Sequence, residues 1–134
     1  MTDVETLLAN ADAIAADAGA DVALIEETVI ETISAFEARL QHHFARGPFF
    51  VKLAARLKVE GHRTLASRVH QYYLAANVLK HGGGKSFREL SGMEGQPFTL
   101  QDEEGKALID VTADGFLPGL VRTLREAYGV LQAK

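Results

Sequence analysis

The stretch that decides the fold spans residues 62–86 and reads HRTLASRVHQYYLAANVLKHGGGKS. Gly61 precedes it, and no glycine or proline interrupts it before the three glycines at 82–84, so it predicts a central helix of about five turns. At 100° per residue, five apolar side chains of this helix share an arc of about 80°, as expected of a stripe that faces a core. They are Leu65, Val69, Tyr72, Ala76 and Leu79.

The opposite side of the central helix carries a polar line, the residues Arg63, His70, Asn77 and His81. These four positions fall within about 40° of one another, whereas a solvated face is more often built from Lys, Glu and Gln. The line has two interpretations. It is a site for an anionic ligand, or it is a structural seam bonded to a neighbouring helix or a partner chain, since Arg63, His70 and Asn77 are spaced by seven.

The segments around the central helix predict further helices at about 3–18, 21–46, 48–61 and 112–132. Asp21 can cap the second of these helices, whose apolar pattern continues to Phe44. Pro48 opens the third helix, Gly61 ends it, and Val59 belongs to its inward-facing apolar side. The spacing from Ser86 to Glu89 predicts a capped helical turn, and the residues 96–101 and 106–111 predict two short strands. Short connections favour antiparallel neighbours. The sequence therefore predicts an all-α fold, an antiparallel bundle of four to five helices with a small β-hairpin before the last helix, in a single domain over residues 1–134.

Charge is distributed unevenly along the chain, although the net charge is only −4. Residues 1–38 hold nine acidic and no basic residues, residues 39–92 hold ten basic residues, two acidic ones and all five histidines, and residues 93–134 hold seven acidic and four basic residues. One interpretation is that an acidic pair of helices packs against a basic pair. The other is that the middle third presents a positive surface to an anion such as RNA or phosphate.

Several classes of site are disfavoured by the composition. The chain has no cysteine, so thiolate metal ligands and cysteine nucleophiles are excluded. His70 and His81 lie about 16 Å apart along a helix, too far to share one metal ion, so we expect no metal and no cofactor. Gly84-Lys85-Ser86 lacks the upstream glycine of a phosphate loop, because Leu79 occupies that position. No apolar run predicts a membrane span, and we expect a cytoplasmic protein.

At Asn77-Val78-Leu79-Lys80-His81, on the last turn of a long helix that ends in glycine, the chain resembles the HEPN superfamily. The signature of that family is an arginine, a polar residue that is often Asn or His, three variable residues, and a histidine. Asn77 and His81 match the polar residue and the histidine. The arginine position carries Ala76, which falls on the apolar arc. The resemblance implies a small helical bundle, often dimeric.

Many members of the HEPN superfamily are metal-independent ribonucleases of toxin–antitoxin, CRISPR and phage-defence systems. The resemblance therefore implies an RNA- or nucleotide-handling module, a homodimer formed through the central helix, and in some settings a protein partner. The implied catalytic residues are His81 and Asn77, with His70 and Arg63 as further candidates. Lys80, Lys85 and Arg68 are the candidates for phosphate binding. The alternative is a noncatalytic homodimeric interaction protein with no role in nucleic-acid chemistry.

Overall fold

The computed structural model describes residues 4–17, 19–44, 48–81, 85–93, 100–103, 106–109 and 116–132. Six α-helices lie within these residues: Val4–Ala16 (α1), Val22–Leu40 (α2), Phe49–Val59 (α3), Arg63–His81 (α4), Lys85–Ser91 (α5) and Phe116–Gln132 (α6). The mostly helical, all-α class predicted from the sequence is confirmed. The strands Leu100–Glu103 (β1) and Lys106–Ile109 (β2) pair antiparallel, with Leu100 opposite Ile109. The other residues of the two predicted strands, 96–99 and 110–111, lie outside the described residues.

Helix α4 lies at the centre of the molecule, where it contacts α2, α3, α5, α6 and β2. Between residues 69 and 78 none of its side chains is exposed. The predicted apolar arc is buried at Val69, Tyr72 and Ala76, but burial extends well beyond it and also covers Gln71, Leu74, Ala75 and Val78. A helix enclosed on several sides is buried nearly all round, so the two-faced prediction describes only part of this segment.

Helix α2 is shorter than predicted. Its start is capped by Asp21, whose carboxylate accepts a hydrogen bond of 2.8 Å from the backbone N–H of Leu24. Its end lies at Leu40 instead of near residue 46, and a 3-10 turn, Gln41–His43, follows. Phe44 then adopts an extended backbone, with its ring 5.6 Å from that of Phe49. After the helix ends, the chain turns and this ring packs against α3.

An aromatic cluster joins α2, α3 and the centre of α4. The Phe50 ring stacks on Tyr73 of α4 at 5.3 Å and lies 5.0 Å from Phe49. Both phenylalanines lie 6.1 Å from Phe36 of α2. Such ring pairs add about 0.5–1.5 kcal/mol each beyond the burial of their surface. This cluster therefore fixes α3 against the middle of α4.

The turn from α3 to α4 follows the glycine signal in the sequence. Gly61 has φ 90°, its N–H donates to the carbonyl of Lys58, and His62 donates from its backbone to the carbonyl of Leu57 at 2.8 Å. This is a Schellman arrangement, which requires the left-handed conformation that glycine adopts most easily. Two details differ from the prediction. Pro48 precedes α3 as its N-cap, and Val59, predicted to face inward, is 87% exposed.

Helix α6 packs against α1 and α4. The hydroxyl of Tyr72 on α4 donates a hydrogen bond of 3.1 Å to the carbonyl of Phe116, the first residue of α6. The predicted start of α6, at residues 112–114, lies outside the described residues. On the other side, Arg125 lies 3.6 Å from carboxylates of Glu5 and Asp12 on α1. The acidic helix α1 is thus partly neutralised by α6.

Helix α5 is a seven-residue helix and exceeds the single turn that was predicted. Ser86 lies in its second position, so the predicted role of Ser86 as N-cap is wrong. The helix packs on α4, and its Leu90 is fully buried in the core.

Among the helices in the described ranges, none combines the length and the apolar character that crossing a bilayer requires.

Candidate functional site

The C-terminal end of α4 brings together three of the predicted site residues. Asn77 and His81 are four residues apart, so they lie one turn apart on the same side of the helix. Asn77 is half-buried, whereas Lys80 and His81 are exposed to solvent. An amide, an ammonium group and an imidazole are therefore presented at one helix end. All three groups can donate hydrogen bonds to an anion, and the imidazole can also transfer protons.

The electrostatics of this end come from the helix as well as from its side chains. Unpaired carbonyl groups give a helix C-terminus a partial negative charge, which stabilises cations and disfavours anions within the last turn. Lys80 therefore offsets the local field of α4. Lys85, at the start of α5, adds a second exposed ammonium group. An anion at this end would be attracted by the side chains and not by the backbone.

The arginine position of the HEPN signature is occupied by a core residue. Ala76 is 1% exposed and belongs to the hydrophobic core. An arginine at this position would bury an unpaired charge, which is strongly destabilising. An arginine cation therefore cannot be accommodated at residue 76 in this fold. Any cation at the C-terminal end of α4 must come from another residue.

His70 lies on α4 but is engaged by α5. Its Nε2 atom lies 2.7 Å from Oε2 of Glu89, and the two side chains are 26% and 47% exposed. The contact is an ion pair when the imidazole is protonated and a hydrogen bond otherwise. His70 lies about 16 Å from His81 along the helix axis. Within one chain, His70 is therefore held by Glu89 at a position separate from His81.

Arg63 and Arg68 lie in the first two turns of α4, and both are exposed. At 1.5 Å per residue they lie about 27 Å and about 20 Å from His81 along the helix axis. The structure therefore groups Asn77, Lys80 and His81, and it separates them from both arginines. Arg63 can complete a site at His81 only if it comes from a second copy of the chain.

A groove between α3 and α4, not anticipated from the sequence, reaches His70. It is a cavity of about 280 Å³ with mainly alanine, valine and methionine walls. Its polar edge is made by Lys58, Ser67 and His70, and Met93 closes it beyond α5. The signal for it in the sequence is weak, because small residues such as Ala54 and Ser67 are equally common on ordinary helix surfaces.

Tertiary packing also creates pairs that no local pattern reveals. His62 and Glu126 line the same cavity at the start of α4, although they are far apart in the sequence. Gly119 of α6 lies so close to Tyr72 that a β-carbon there would be 2.5 Å from the tyrosine hydroxyl. Neither relationship follows from helical periodicity, because each depends on how α4 and α6 cross.

Among the residues that the structure describes, no group of three or more His, Asp or Glu side chains is arranged to hold a metal ion. The candidate site is made of polar side chains on α4 and α5. No family model, curated protein or solved structure matches the chain.

Proposed function

We propose that this chain is an HEPN-like helical-bundle protein that handles RNA or a nucleotide at the C-terminal end of α4. In this proposal His81 is the proton-transfer group of a metal-independent ribonuclease. The observation that carries the proposal is the exposure of His81 one helical turn from Asn77, with Lys80 beside it. Toxin–antitoxin or defence systems are the setting that the resemblance implies.

The chemistry requires proton transfer at two oxygen atoms. A base removes the proton of the 2′-hydroxyl, the 2′-oxygen attacks the adjacent phosphorus, and an acid protonates the leaving 5′-oxygen. The products are a 2′,3′-cyclic phosphate and a 5′-hydroxyl. Imidazole serves as acid or base near neutral pH. In a homodimer that aligns the two α4 ends, the His81 side chains of the two copies can share these roles.

Charge stabilisation is the second requirement. The pentacoordinate phosphorane carries additional negative charge, which a positioned cation stabilises. Because Ala76 is in the core, we assign this role to Lys80, with Asn77 donating a hydrogen bond to a phosphate oxygen. Lys85 contacts a neighbouring phosphate and positions the RNA backbone. Lysine is a less directional donor than arginine, so we expect slow cleavage.

The test is cleavage of a mixed pool of single-stranded and structured RNA in EDTA, with the wild type compared with His81→Ala. The control is His42→Ala, which removes an exposed histidine of the 3-10 turn after α2. We expect cleavage by the wild type and by the control, with 2′,3′-cyclic phosphate ends. A loss of at least about 100-fold is expected for His81→Ala, as for a general acid or base. Equal activity in both histidine variants would contradict the proposal.

A noncatalytic homodimeric interaction protein is the second candidate, and two observations favour it. Ala76 replaces the signature arginine with a core side chain, and Val51 and Val59 of α3 are 47% and 87% exposed. Exposed apolar side chains are common at protein interfaces, although single ones also occur on monomers. Light scattering with Val51→Ser/Val59→Ser tests this candidate. Dissociation of a dimer, with RNA neither bound nor cleaved by the wild type, would favour it over the ribonuclease.

A further inference from the structure

A cleft lies between the start of α4 and the C-terminal half of α6. One part of it is a cavity of about 350 Å³, lined by His62, Arg63, Thr64, Leu65, Arg68 and Glu126. An adjoining cavity of about 420 Å³ shares His62, Leu65 and Glu126 and adds Gly129 and Val130 of α6. Each volume is within the range of about 300–1,000 Å³ that is usual for small-molecule sites. Because they share three lining residues, the two cavities adjoin and together form one cleft.

The first part of the cleft is cationic. Arg63 and Arg68 both line it, and neither takes part in the ion pairs found among the described residues. Glu60, at the edge of the adjoining cavity, is already bonded to Arg56 at 2.9 Å. Two arginines thus face one further carboxylate, that of Glu126. Guanidinium groups bind phosphate oxygens with two parallel hydrogen bonds, so this part suits a phosphate.

The second part of the cleft is more apolar. Val130 and Leu65 are half-buried there and belong to the edge of the hydrophobic core, and Gly129 leaves room above the helix. Between the two parts lie His62, whose imidazole can donate a hydrogen bond, and Glu126, whose carboxylate accepts hydrogen bonds. The cleft therefore offers, in order, cations, polar groups and an apolar surface. A nucleotide presents a phosphate, a polar sugar and a flat base in the same order.

We propose that this cleft binds a nucleoside monophosphate, either free or as the 5′-terminal nucleotide of an RNA. The phosphate lies between Arg63 and Arg68, and the base lies against Leu65 and Val130. The site is independent of the proposed function, because the cleft begins about 27 Å from His81 along α4. It also gives the two arginines a role that does not require them to reach the other end of the helix.

The experiment is a calorimetric titration with AMP in EDTA, with adenosine and inorganic phosphate as partial ligands. We expect AMP to bind more tightly than either partial ligand. We expect Arg63→Ala/Arg68→Ala to weaken AMP binding at least about 10-fold, since two charge-assisted contacts are lost. The matched control is Arg88→Ala, an exposed arginine of α5 outside the cleft, and it should bind AMP as the wild type does.

Several results would overturn the proposal. They are no AMP binding by the wild type at about 1 mM, adenosine bound as tightly as AMP, or equal AMP affinity in the double arginine variant. Competition by short RNAs separates the two sources of the ligand. If a 5′-phosphorylated RNA displaces AMP and its 5′-hydroxyl form does not, the terminal nucleotide of RNA is a ligand. If neither displaces AMP, the ligand is the free nucleotide. His81→Ala should leave AMP binding unchanged, even if RNA cleavage fails in every variant.

Discussion

The middle and the two ends of α4 differ sharply in their surroundings. From residue 69 to 78 no side chain is exposed, while Arg63 and Arg68 at one end and Lys80 and His81 at the other are open to solvent. The middle contacts helices on several sides and holds the fold together, and the ends have polar groups that can meet a ligand. We therefore expect substitutions in the middle to change stability and substitutions at the ends to change binding.

The largest effect is expected for Phe50→Ala. Phe50 is 1% exposed and its ring stacks on Tyr73 of α4, so truncation leaves a cavity in the aromatic cluster. We expect the free energy of unfolding to fall by about 3–5 kcal/mol, as measured by urea denaturation. The control is the next residue, Val51, which is 47% exposed. A comparable loss of unfolding free energy for Val51→Ala would contradict the expectation that the enclosed side of α3 is more important for stability than its open side.

The hydroxyl of Tyr72 makes the free energy of unfolding depend on pH in the alkaline range. Burial raises the pKa of Tyr72 from 10.0 to about 12, against smaller opposing effects of Arg122 and Arg68. The folded chain thus keeps a proton that the unfolded chain loses. The contribution of this proton to the free energy of unfolding is complete below about pH 10 and is lost as the pH rises to about 12. The free energy of unfolding should fall by about 2–3 kcal/mol over that range. The measurement is the free energy of unfolding from pH 8 to about pH 12, compared with Tyr72→Phe. A wild-type profile parallel to that of Tyr72→Phe would show that the hydroxyl is not the cause.

A steric contact between α4 and α6 gives the next effect. A β-carbon at Gly119 would lie 2.5 Å from the Tyr72 hydroxyl, whereas its next contact, with Cζ of the same ring, is 3.7 Å. We expect Gly119→Ala to lower stability by about 1–3 kcal/mol through overpacking. In the Tyr72→Phe background the loss should be clearly smaller, because the clashing oxygen is gone.

Gly129 provides the matched control for that double-mutant cycle. It lies in the same helix, and a β-carbon there would meet nothing within 4 Å. Gly129→Ala should therefore stabilise the protein by about 0.5–1 kcal/mol through helix propensity alone. If both glycine substitutions destabilised the protein equally, then the contact with Tyr72 would not explain the effect at Gly119.

The smallest effects on stability are expected at the ends of α4. Arg63→Ala and His81→Ala remove exposed side chains, so each should change the free energy of unfolding by less than about 0.5 kcal/mol. Circular dichroism melts of these variants check the expectation. A large loss of stability at either end would mean that the residue has a structural role, and the binding and cleavage results for that variant would need reinterpretation.

Much of the local structure could be predicted from the residues themselves. The Asp21 cap, the end of α3 at Gly61 and the uninterrupted run of α4 were predicted because each depends on the conformational preferences of nearby residues. The end of α2 was predicted too late, since the apolar pattern continues to Phe44 while the backbone leaves the helix after Leu40. The apolar periodicity indicates which side chains are buried, but not the backbone conformation that buries them. Phe44 is half-buried, yet it follows the helix and has an extended backbone.

The candidate site also combines features that could be predicted from the sequence with features that could not. The spacing of Asn77 and His81 on one helix predicted that they lie together, because helical geometry relates residues four apart. The engagement of His70 by Glu89, the core position of Val78 and the exposure of Val59 could not be predicted, since they depend on neighbouring helices.

The sequence by itself determined the helical class of this protein, the principal caps and turns, and the line of polar residues along α4. These features follow from interactions within a few residues of the chain. Only the tertiary structure decided which part of that line is covered, how Tyr72 meets α6, and that a cleft forms beside Arg63 and Arg68. Those features depend on the packing of helices that are distant in sequence, and helical periodicity does not specify which helices become neighbours.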